Sequence, residues 1–266
     1  MTSSNLNVVK GGPAERSTVI LIHAVGLDLT YWDRQIEALT AHHHVVALDL
    51  PGHGRSARAP HSGSIADLAS DVATVIDDLG SLSVHVVGHS FGGMVAQQLA
   101  ISYPDRVRSL TLAATAASFS DEARGYLRGH SSAIRAQGMS AALPSLPLSL
   151  ADSTRQRRPD LLERLTKTML AMDPDVYAVA WTEIANFDAT DRLSGIRCPS
   201  LILVGDEDRN TPPDASAPLA RDIAGAAIVV IAGAAHMLPM EEAERFNEEL
   251  IRFLRAVEAR ATLGLT

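Results

Sequence analysis

The sequence predicts an α/β protein in which a mostly parallel central sheet is flanked by helices. The first observation is a series of apolar, β-branched runs in the first half of the chain: Thr18–His23, Val45–Leu50, Val84–Val87 and Val107–Leu112. Continuous apolar runs are typical of strands buried on both faces of a parallel sheet. The second observation is that helical patterns separate these runs, as right-handed βαβ crossovers require.

The clearest helix is predicted over Ser64–Leu79, where apolar residues recur at intervals of three and four. Ser64 and Asp67 form a capping-box pattern at its start, and Gly80 follows its end. Later in the chain, Leu201–Val204 and Ile228–Ile231 are predicted strands. A final helix is predicted from Ala243 to Glu258.

The alternation of strands and helices stops between residues 118 and 188. This stretch has no strong strand pattern, and two of its segments, 159–172 and 174–187, are helix-like and begin with proline. We therefore predict a core formed by residues 1–117 and 189–266, with residues 118–188 inserted as a helical unit over one edge of the sheet.

Composition excludes several classes of protein. The net charge is −8 and the pI about 5.6, without the basic stripe expected of a nucleic-acid-binding protein. The single cysteine, Cys198, cannot form an intrachain disulfide. No cationic start precedes an apolar segment, and no run approaches the ~20 apolar residues of a membrane span. We predict a cytoplasmic protein with no nucleic-acid or membrane partner.

One strand-to-helix junction carries a chemical motif. Gly88-His89-Ser90-Phe91-Gly92 matches the G-x-S-x-G pattern, with a predicted strand before it and a helix after it. A tight turn there holds a serine in a strained conformation, and glycines two residues away on each side prevent a collision across the turn. The context favours Ser90 as a nucleophile.

A serine hydroxyl needs a base, and position selects one of the ten histidines. His236 follows the last predicted strand in a loop of small residues, as the chain order Ser, acid, His requires. His61 lies in a polar loop, and the triplet His42-His43-His44 before a strand is expected at the surface. We predict His236 as the base.

The acid that orients the histidine should lie after a strand between Ser90 and His236. The strand Val107–Leu112 is followed by no acid up to Ser118. After Leu201–Val204 the chain reads Gly205-Asp206-Glu207-Asp208, so the residues leave three acids open.

Five segments together resemble the α/β-hydrolase fold superfamily, in its serine-nucleophile branch with a helical cap. They cover nearly the whole chain: "LIHAVGLDLTYW", "VVALDLPGHGRS", "VVGHSFGGMVAQQLAISYPDRVRSLTL", "CPSLILVGDEDRNTPP" and "GAAHMLPMEEAERFNEELIRFL". The resemblance is greatest to 3-oxoadipate enol-lactonases and small-ester hydrolases. It implies that Asp208 rather than Asp206 is the acid, and that residues 118–188 form the cap over the active site.

An oxyanion hole needs two backbone N–H groups. Phe91, directly after the nucleophile, supplies one. The resemblance implies Val25 as the second donor, in the loop His23-Ala24-Val25-Gly26, where Ala24 stands in place of the family's usual glycine. Trp181, in the predicted cap, and Met237, beside His236, are candidate substrate-binding residues.

These residues predict a serine hydrolase that cleaves a small carboxylic ester or lactone through an acyl-enzyme. C–C bond hydrolases, perhydrolases, amidases and thioesterases share the triad and remain alternatives, as does a ligand receptor without catalysis. The sequence contains no dinucleotide, Walker or metal-binding motif, so we expect no cofactor and no metal. We expect a monomer or homodimer.

Overall fold

The computed structural model describes residues 6–58 and 63–263. Within these residues the strands are β1 Val8–Gly11, β2 Thr18–Ile22, β3 His44–Leu48, β4 Val84–His89, β5 Val107–Ala113, β6 Ser200–Gly205 and β7 Ala227–Ile231. They form one seven-stranded sheet with the order β1-β3-β2-β4-β5-β6-β7, in which β1 is antiparallel to β3 and the other neighbours are parallel.

All six predicted strands are present, with ends that differ from the prediction by no more than two residues. β1 was not predicted. It is short and lies at the sheet edge, and two of its four residues are exposed. It therefore lacks the continuous apolar run that predicts the other six strands. The sheet is otherwise the predicted α/β arrangement.

Helices flank the sheet and connect its strands. Those outside the inserted segment are α1 Asp33–Leu39, α2 Ile65–Asp78, α3 Phe91–Ser102, α8 Pro213–Asp222, α9 Leu238–Glu241 and α10 Ala243–Thr262; those inside it are α4 Asp121–Gln137, α5 Asp152–Arg157, α6 Pro159–Leu170 and α7 Pro174–Asn186. In α2 the predicted capping box is formed, because Ser64 Oγ accepts from the Asp67 N–H at 3.1 Å and Asp67 Oδ2 from the Ser64 N–H at 3.3 Å. None of the helices within the described ranges is long and apolar enough to span a bilayer.

Residues 118–188, all of which the structure describes, contain only helices and irregular segments, including a 3₁₀ stretch over Met139–Ser149. α4 and α7 pack together, and Ser131 Oγ donates to the Ala178 carbonyl at 2.7 Å. The division into core and cap stays a prediction, but the helical character of this segment agrees with it.

α7 lies directly on two loops at the carboxyl ends of the strands. A Cβ atom at position 26 would lie 2.6 Å from Tyr177 Cε2, and one at position 52 would lie 2.7 Å from Val176 Cγ1. Glycine therefore lets the helix approach the loop after β2 and the loop after β3 closely. The helical segment covers the end of the sheet where parallel α/β proteins bind ligands.

We expected His42, His43 and His44 to lie at the surface, and for His43 this prediction is wrong. His42 is exposed, but the His43 side chain is only 2% exposed. Ser17 and Glu258 surround it, with Ser17 Oγ at 3.1 Å and Glu258 Oε1 at 3.6 Å from His43 Nδ1. Glu258 comes from α10 at the far end of the chain, a neighbour that no local pattern reveals.

Candidate active site

Ser90 occupies a strained turn between β4 and α3. Its φ of 53° and ψ of −114° place it in a region that residues other than glycine rarely adopt. A Cβ atom at position 88 would lie 2.3 Å from the Gly92 carbonyl oxygen, and one at position 92 would lie 2.3 Å from the Ile22 carbonyl oxygen. Both glycines of the motif are thus required by close backbone approach. For Gly88 the approach is across the turn, as predicted, whereas for Gly92 it is to the end of β2.

His236 reaches Ser90 from the loop between β7 and α9. Its Nε2 lies 2.9 Å from Ser90 Oγ, a hydrogen-bond distance in which the hydroxyl donates if Nδ1 carries the ring proton. His89 Nε2 donates to the backbone carbonyl of His236 at 2.7 Å. The residue next to the serine therefore helps to hold the loop that carries the histidine.

Of the three acids after β6, Asp208 is the one that contacts His236. His236 Nδ1 donates to Asp208 Oδ2 at 2.9 Å, with Oδ1 at 3.2 Å. Asp206 and Glu207 are exposed, and Asp206 Oδ1 instead accepts from the Gly233 N–H at 2.7 Å. Ser90, His236 and Asp208 form one hydrogen-bonded line.

The environment of Asp208 favours its carboxylate form. Burial alone would raise the pKa, but the adjacent His236 and the hydrogen bonds from Thr211 outweigh it, so the net pKa lies below its ordinary value. Asp208 Oδ1 accepts from the backbone N–H groups of Asn210 at 2.8 Å and Thr211 at 3.0 Å, and Oδ2 from Thr211 Oγ1 at 2.9 Å. The carboxylate is held ionised and fixed in orientation.

The loop after β2 adjoins the serine turn. β2 and β4 are parallel neighbours with Ile22 opposite Gly88, and Gly92 meets the carbonyl groups of Ile22 and His23. His23 fixes this loop, since its Nδ1 donates to the Ala24 carbonyl at 2.8 Å and its Nε2 accepts from the Leu50 N–H at 3.0 Å. Val25 follows in this loop, and Phe91 is the first residue of α3. Their roles as oxyanion donors stay a prediction.

The two candidate substrate-binding residues lie in different surroundings. Trp181 is partly buried on α7 within an aromatic cluster, 4.7 Å from the ring of His130 and 6.0 Å from the ring of Tyr177. Met237 is buried beside His236, and its N–H donates to the Ser149 carbonyl at 3.2 Å. Contact of either side chain with substrate stays a prediction.

The sequence did not single out three residues that contact Asp208 or the loop of His236. These are Thr211, His89 and Glu241. Thr211 and Glu241 lie a few residues from Asp208 and His236, but their roles depend on hydrogen bonds that only the folded loops create. His61 lies outside the described residues. Among the residues described, no group of three or more His, Cys, Asp or Glu side chains could hold a metal ion.

Comparison with known proteins gives the family. The model of the α/β hydrolase fold family matches residues 17–243, which is most of the chain. This protein therefore belongs to the α/β-hydrolase fold family, as its sheet order and strand-to-helix serine turn also indicate.

Two named relatives are similar in sequence to most of this chain. The chain is 34% identical to the dihydrolipoyllysine-residue acetyltransferase component of the acetoin cleaving system from Pseudomonas putida, over 89% of this chain and 63% of that protein. It thus spans less than two thirds of that relative's length. It is 33% identical to RutD of Azorhizobium caulinodans, provisionally named a carbamate hydrolase, over 90% of this chain and 92% of that one.

Two solved structures are similar over nearly their whole length. The enol-lactonase from Burkholderia xenovorans LB400 has a TM-score of 0.89 at 28% identity, over 94% of this chain and 96% of that one. A thermophilic esterase from Thermogutta terrifontis has a TM-score of 0.88 at 32% identity, over 95% of this chain and 93% of that one.

Proposed function

We propose that the protein is a serine hydrolase that cleaves a small carboxylic ester or lactone through an acyl-enzyme, with Ser90 as nucleophile. The observation that carries the proposal is the hydrogen-bonded line from Ser90 Oγ to His236 Nε2 at 2.9 Å and from His236 Nδ1 to Asp208 Oδ2 at 2.9 Å. This is the geometry that serine acyl transfer needs. The similarity to an enol-lactonase and an esterase supports the same class of substrate.

In the first step Ser90 Oγ attacks the carbonyl carbon while His236 Nε2 takes the hydroxyl proton. The developing imidazolium is stabilised by Asp208, whose carboxylate is buried against the ring. His236 then gives the proton to the alkoxide leaving group as the carbon–oxygen bond breaks. For a lactone the leaving group stays attached to the acyl chain, because the ring opens.

The tetrahedral intermediate places a negative charge on the former carbonyl oxygen. We assign the backbone N–H groups of Val25 and Phe91 to that oxygen, since their loops adjoin at the serine turn. Loss of one such donor typically costs about 10²–10³-fold in kcat. Water completes the cycle: its oxygen attacks the acyl carbon while His236 takes one of its protons. His236 then returns that proton to Ser90 Oγ as the acyl–oxygen bond breaks, which releases the acid and restores the enzyme.

The helical segment 118–188 is proposed as the cap that selects the substrate. α7 lies on the loop after β2 through Tyr177 and Gly26, and it also carries Trp181. We propose that Trp181 and Met237 line the acyl or alcohol site. Trp181→Phe should then change KM for different esters more than it changes kcat, whereas a role in cap packing alone would change stability and leave substrate preference unaltered.

Other reactions use the same triad. C–C bond hydrolysis, perhydrolysis and thioester hydrolysis remain alternatives, and the relative named as a carbamate hydrolase adds carbamates to the substrates to be tried. A ligand receptor that retains the triad is the alternative from a different class of function. We further propose a small-molecule substrate, a cytoplasmic location and a monomer or homodimer.

The test compares wild type with Ser90→Ala on p-nitrophenyl acetate and butyrate, followed by release of nitrophenolate. We expect turnover in the wild type and a loss of about 10⁴-fold or more in kcat in the variant. Thr74→Ala, on the exposed side of α2, serves as a control that should retain full activity. Circular dichroism verifies that each variant is folded.

A panel of lactones, aliphatic esters, thioesters and carbamates then identifies the acyl group, with acid release followed at constant pH. Activity on p-nitrophenyl esters that survives in Ser90→Ala would contradict the proposal. A folded wild type that turns over none of the panel, but binds a ligand equally well with Ser90→Ala, would establish the receptor alternative instead.

A further inference from the structure

The loop that carries His236 has little side-chain bulk with which to anchor itself. Between the end of β7 at Ile231 and the start of α9 at Leu238 it includes Gly233, Ala234 and Ala235. Such a loop must be fixed by hydrogen bonds to its backbone, because catalysis requires the base to be placed within a fraction of an ångström.

One carboxylate supplies those bonds. Glu241 Oε1 accepts from the backbone N–H groups of Ala235 and Met237, each at 3.0 Å. These are the two residues that flank His236 in the chain. A charged acceptor strengthens each hydrogen bond relative to a neutral one, so both sides of the histidine are fixed to a single group.

The other oxygen of Glu241 reaches the helical segment 118–188. Glu241 Oε2 accepts from the Ala151 N–H at 2.8 Å. The neighbouring Ser149 accepts at its carbonyl from the Met237 N–H at 3.2 Å, and its hydroxyl accepts from Asn210 Nδ2 at 3.0 Å. The segment Ser149–Ala151 is therefore tied both to the histidine loop and to the loop that follows Asp208.

The hydrogen bonds that stabilise the carboxylate come mainly from backbone groups. Within the described residues Glu241 forms no ion pair with a Lys, Arg or His nitrogen, whereas its neighbour Glu242 pairs with Arg157. Burial, the largest influence, raises the pKa of Glu241, while the N–H groups of Ala151, Ala235 and Met237, together with the Thr154 side chain, act against it. Glu241 is partly buried, and its carboxylate accepts from three amides in two segments. Such a group is costly to remove from water, and its effect is to fix those segments relative to each other.

We propose that Glu241 is a positioning residue, which holds His236 against Ser90 and couples that position to the seating of the helical segment 118–188. This rests on the proposed function, because His236 is taken as the base. Glu241 contacts no reacting atom. Its effect on the reaction passes through the backbone of Ala235 and Met237.

The test uses Glu241→Gln, Glu241→Ala and the exposed, matched control Glu248→Gln on α10. Glutamine has nearly the same shape and keeps one acceptor oxygen, but its amide group faces N–H donors. We expect kcat on p-nitrophenyl butyrate to fall about 10- to 100-fold in Glu241→Gln and further in Glu241→Ala, with KM changed less than about threefold. The control should equal wild type.

Two further measurements separate positioning from general stability. The rate of phosphorylation of Ser90 by diethyl p-nitrophenyl phosphate should fall with kcat, since it needs the base but no specific substrate. Amide hydrogen exchange should accelerate together in the peptides that contain Ala151 and Ala235–Met237, while β4 and β5 remain protected as in wild type. Loss of kcat with uniform acceleration across the sheet would overturn the proposal in favour of a merely structural role.

The outcomes also distinguish this proposal from the proposed function. An active wild type with Glu241→Gln within twofold in kcat would overturn the positioning role and leave the hydrolase proposal intact. An inactive wild type that does not react with the phosphate ester would refute the hydrolase proposal. In that case joint acceleration of exchange in the two segments would still support their coupling through Glu241, and unchanged exchange would overturn it.

Discussion

Acid should destabilise this protein far above the pH at which most carboxylates titrate. Four of the buried histidines have strongly lowered pKa values. Burial is the largest cause, and it lowers the pKa from 6.5 to about 4 for His23 and to about 3 for His53, His85 and His89. In the unfolded chain they regain ordinary values. Below pH 6.5 the unfolded state therefore binds more protons, and stability is lost as the pH falls from there toward 4.

The size of the effect follows from proton linkage. Each group costs about 1.4 kcal/mol per pH unit once the pH is well below 6.5, which amounts to about 2 kcal/mol per histidine at pH 5. Four such groups give about 8 kcal/mol, comparable with the 5–15 kcal/mol by which typical domains are stable. Glu241, whose pKa burial raises, acts in the opposite direction and reduces the loss just above pH 4.5.

The assay is urea unfolding followed by circular dichroism between pH 8 and pH 5. We expect a nearly constant free energy of unfolding down to about pH 7 and a loss of about 5 kcal/mol between pH 6 and pH 5. His85→Asn removes one of the four groups and should reduce the loss between pH 6 and pH 5 by about 1 kcal/mol. The control His42→Asn replaces an exposed histidine and should leave it unchanged.

If the free energy of unfolding of the wild type fell by only about 1 kcal/mol between pH 6 and pH 5, this reasoning would be refuted. Such a result would mean that the buried histidines take up protons without unfolding. The same slope in His85→Asn and wild type would show that His85 does not contribute.

Three further predictions concern the site and the fold. Asp208→Asn should lower kcat on p-nitrophenyl esters by about 10⁴-fold, because the carboxylate that contacts His236 is lost. Asp206 accepts from the Gly233 N–H instead, so Asp206→Asn should keep kcat within about threefold of wild type, and the reverse order would contradict the assignment. Gly92→Ala should lower the free energy of unfolding, measured in urea, by more than about 3 kcal/mol, because its Cβ would lie 2.3 Å from a backbone oxygen. The control Gly125→Ala in α4 has open space around it, so its free energy of unfolding should equal or exceed that of wild type. Ser64→Ala should cost about 1 kcal/mol by the same measurement through loss of the capping box, and an unchanged urea midpoint would count against it.

Local pattern was sufficient wherever the structure depends on local chemistry. The buried strands follow continuous apolar runs, because a strand covered on both faces excludes polar residues. The turn at Ser90 follows from two glycines at fixed spacing. The collision that Gly88 avoids lies within five residues, whereas the one that Gly92 avoids is with the end of β2. Position along the chain was sufficient to select His236, among ten histidines, as the candidate base.

Local pattern could not decide which of Asp206, Glu207 and Asp208 contacts the histidine. All three follow the same strand, and only a family resemblance favoured Asp208 in the sequence. The folded loop turns Asp208 inward to His236 and leaves the other two exposed. That difference arises from contact between segments 28 residues apart.

By itself, then, the sequence determined the α/β sheet, the helical character of residues 118–188 and the candidates for nucleophile and base. Only the tertiary structure decided that His43 is buried against Glu258, and that Glu241 joins Ala151 to the two sides of His236. The physical reason is the same in both cases. A buried polar group must find a partner, and here the partner comes from a distant part of the chain that no periodic pattern encodes.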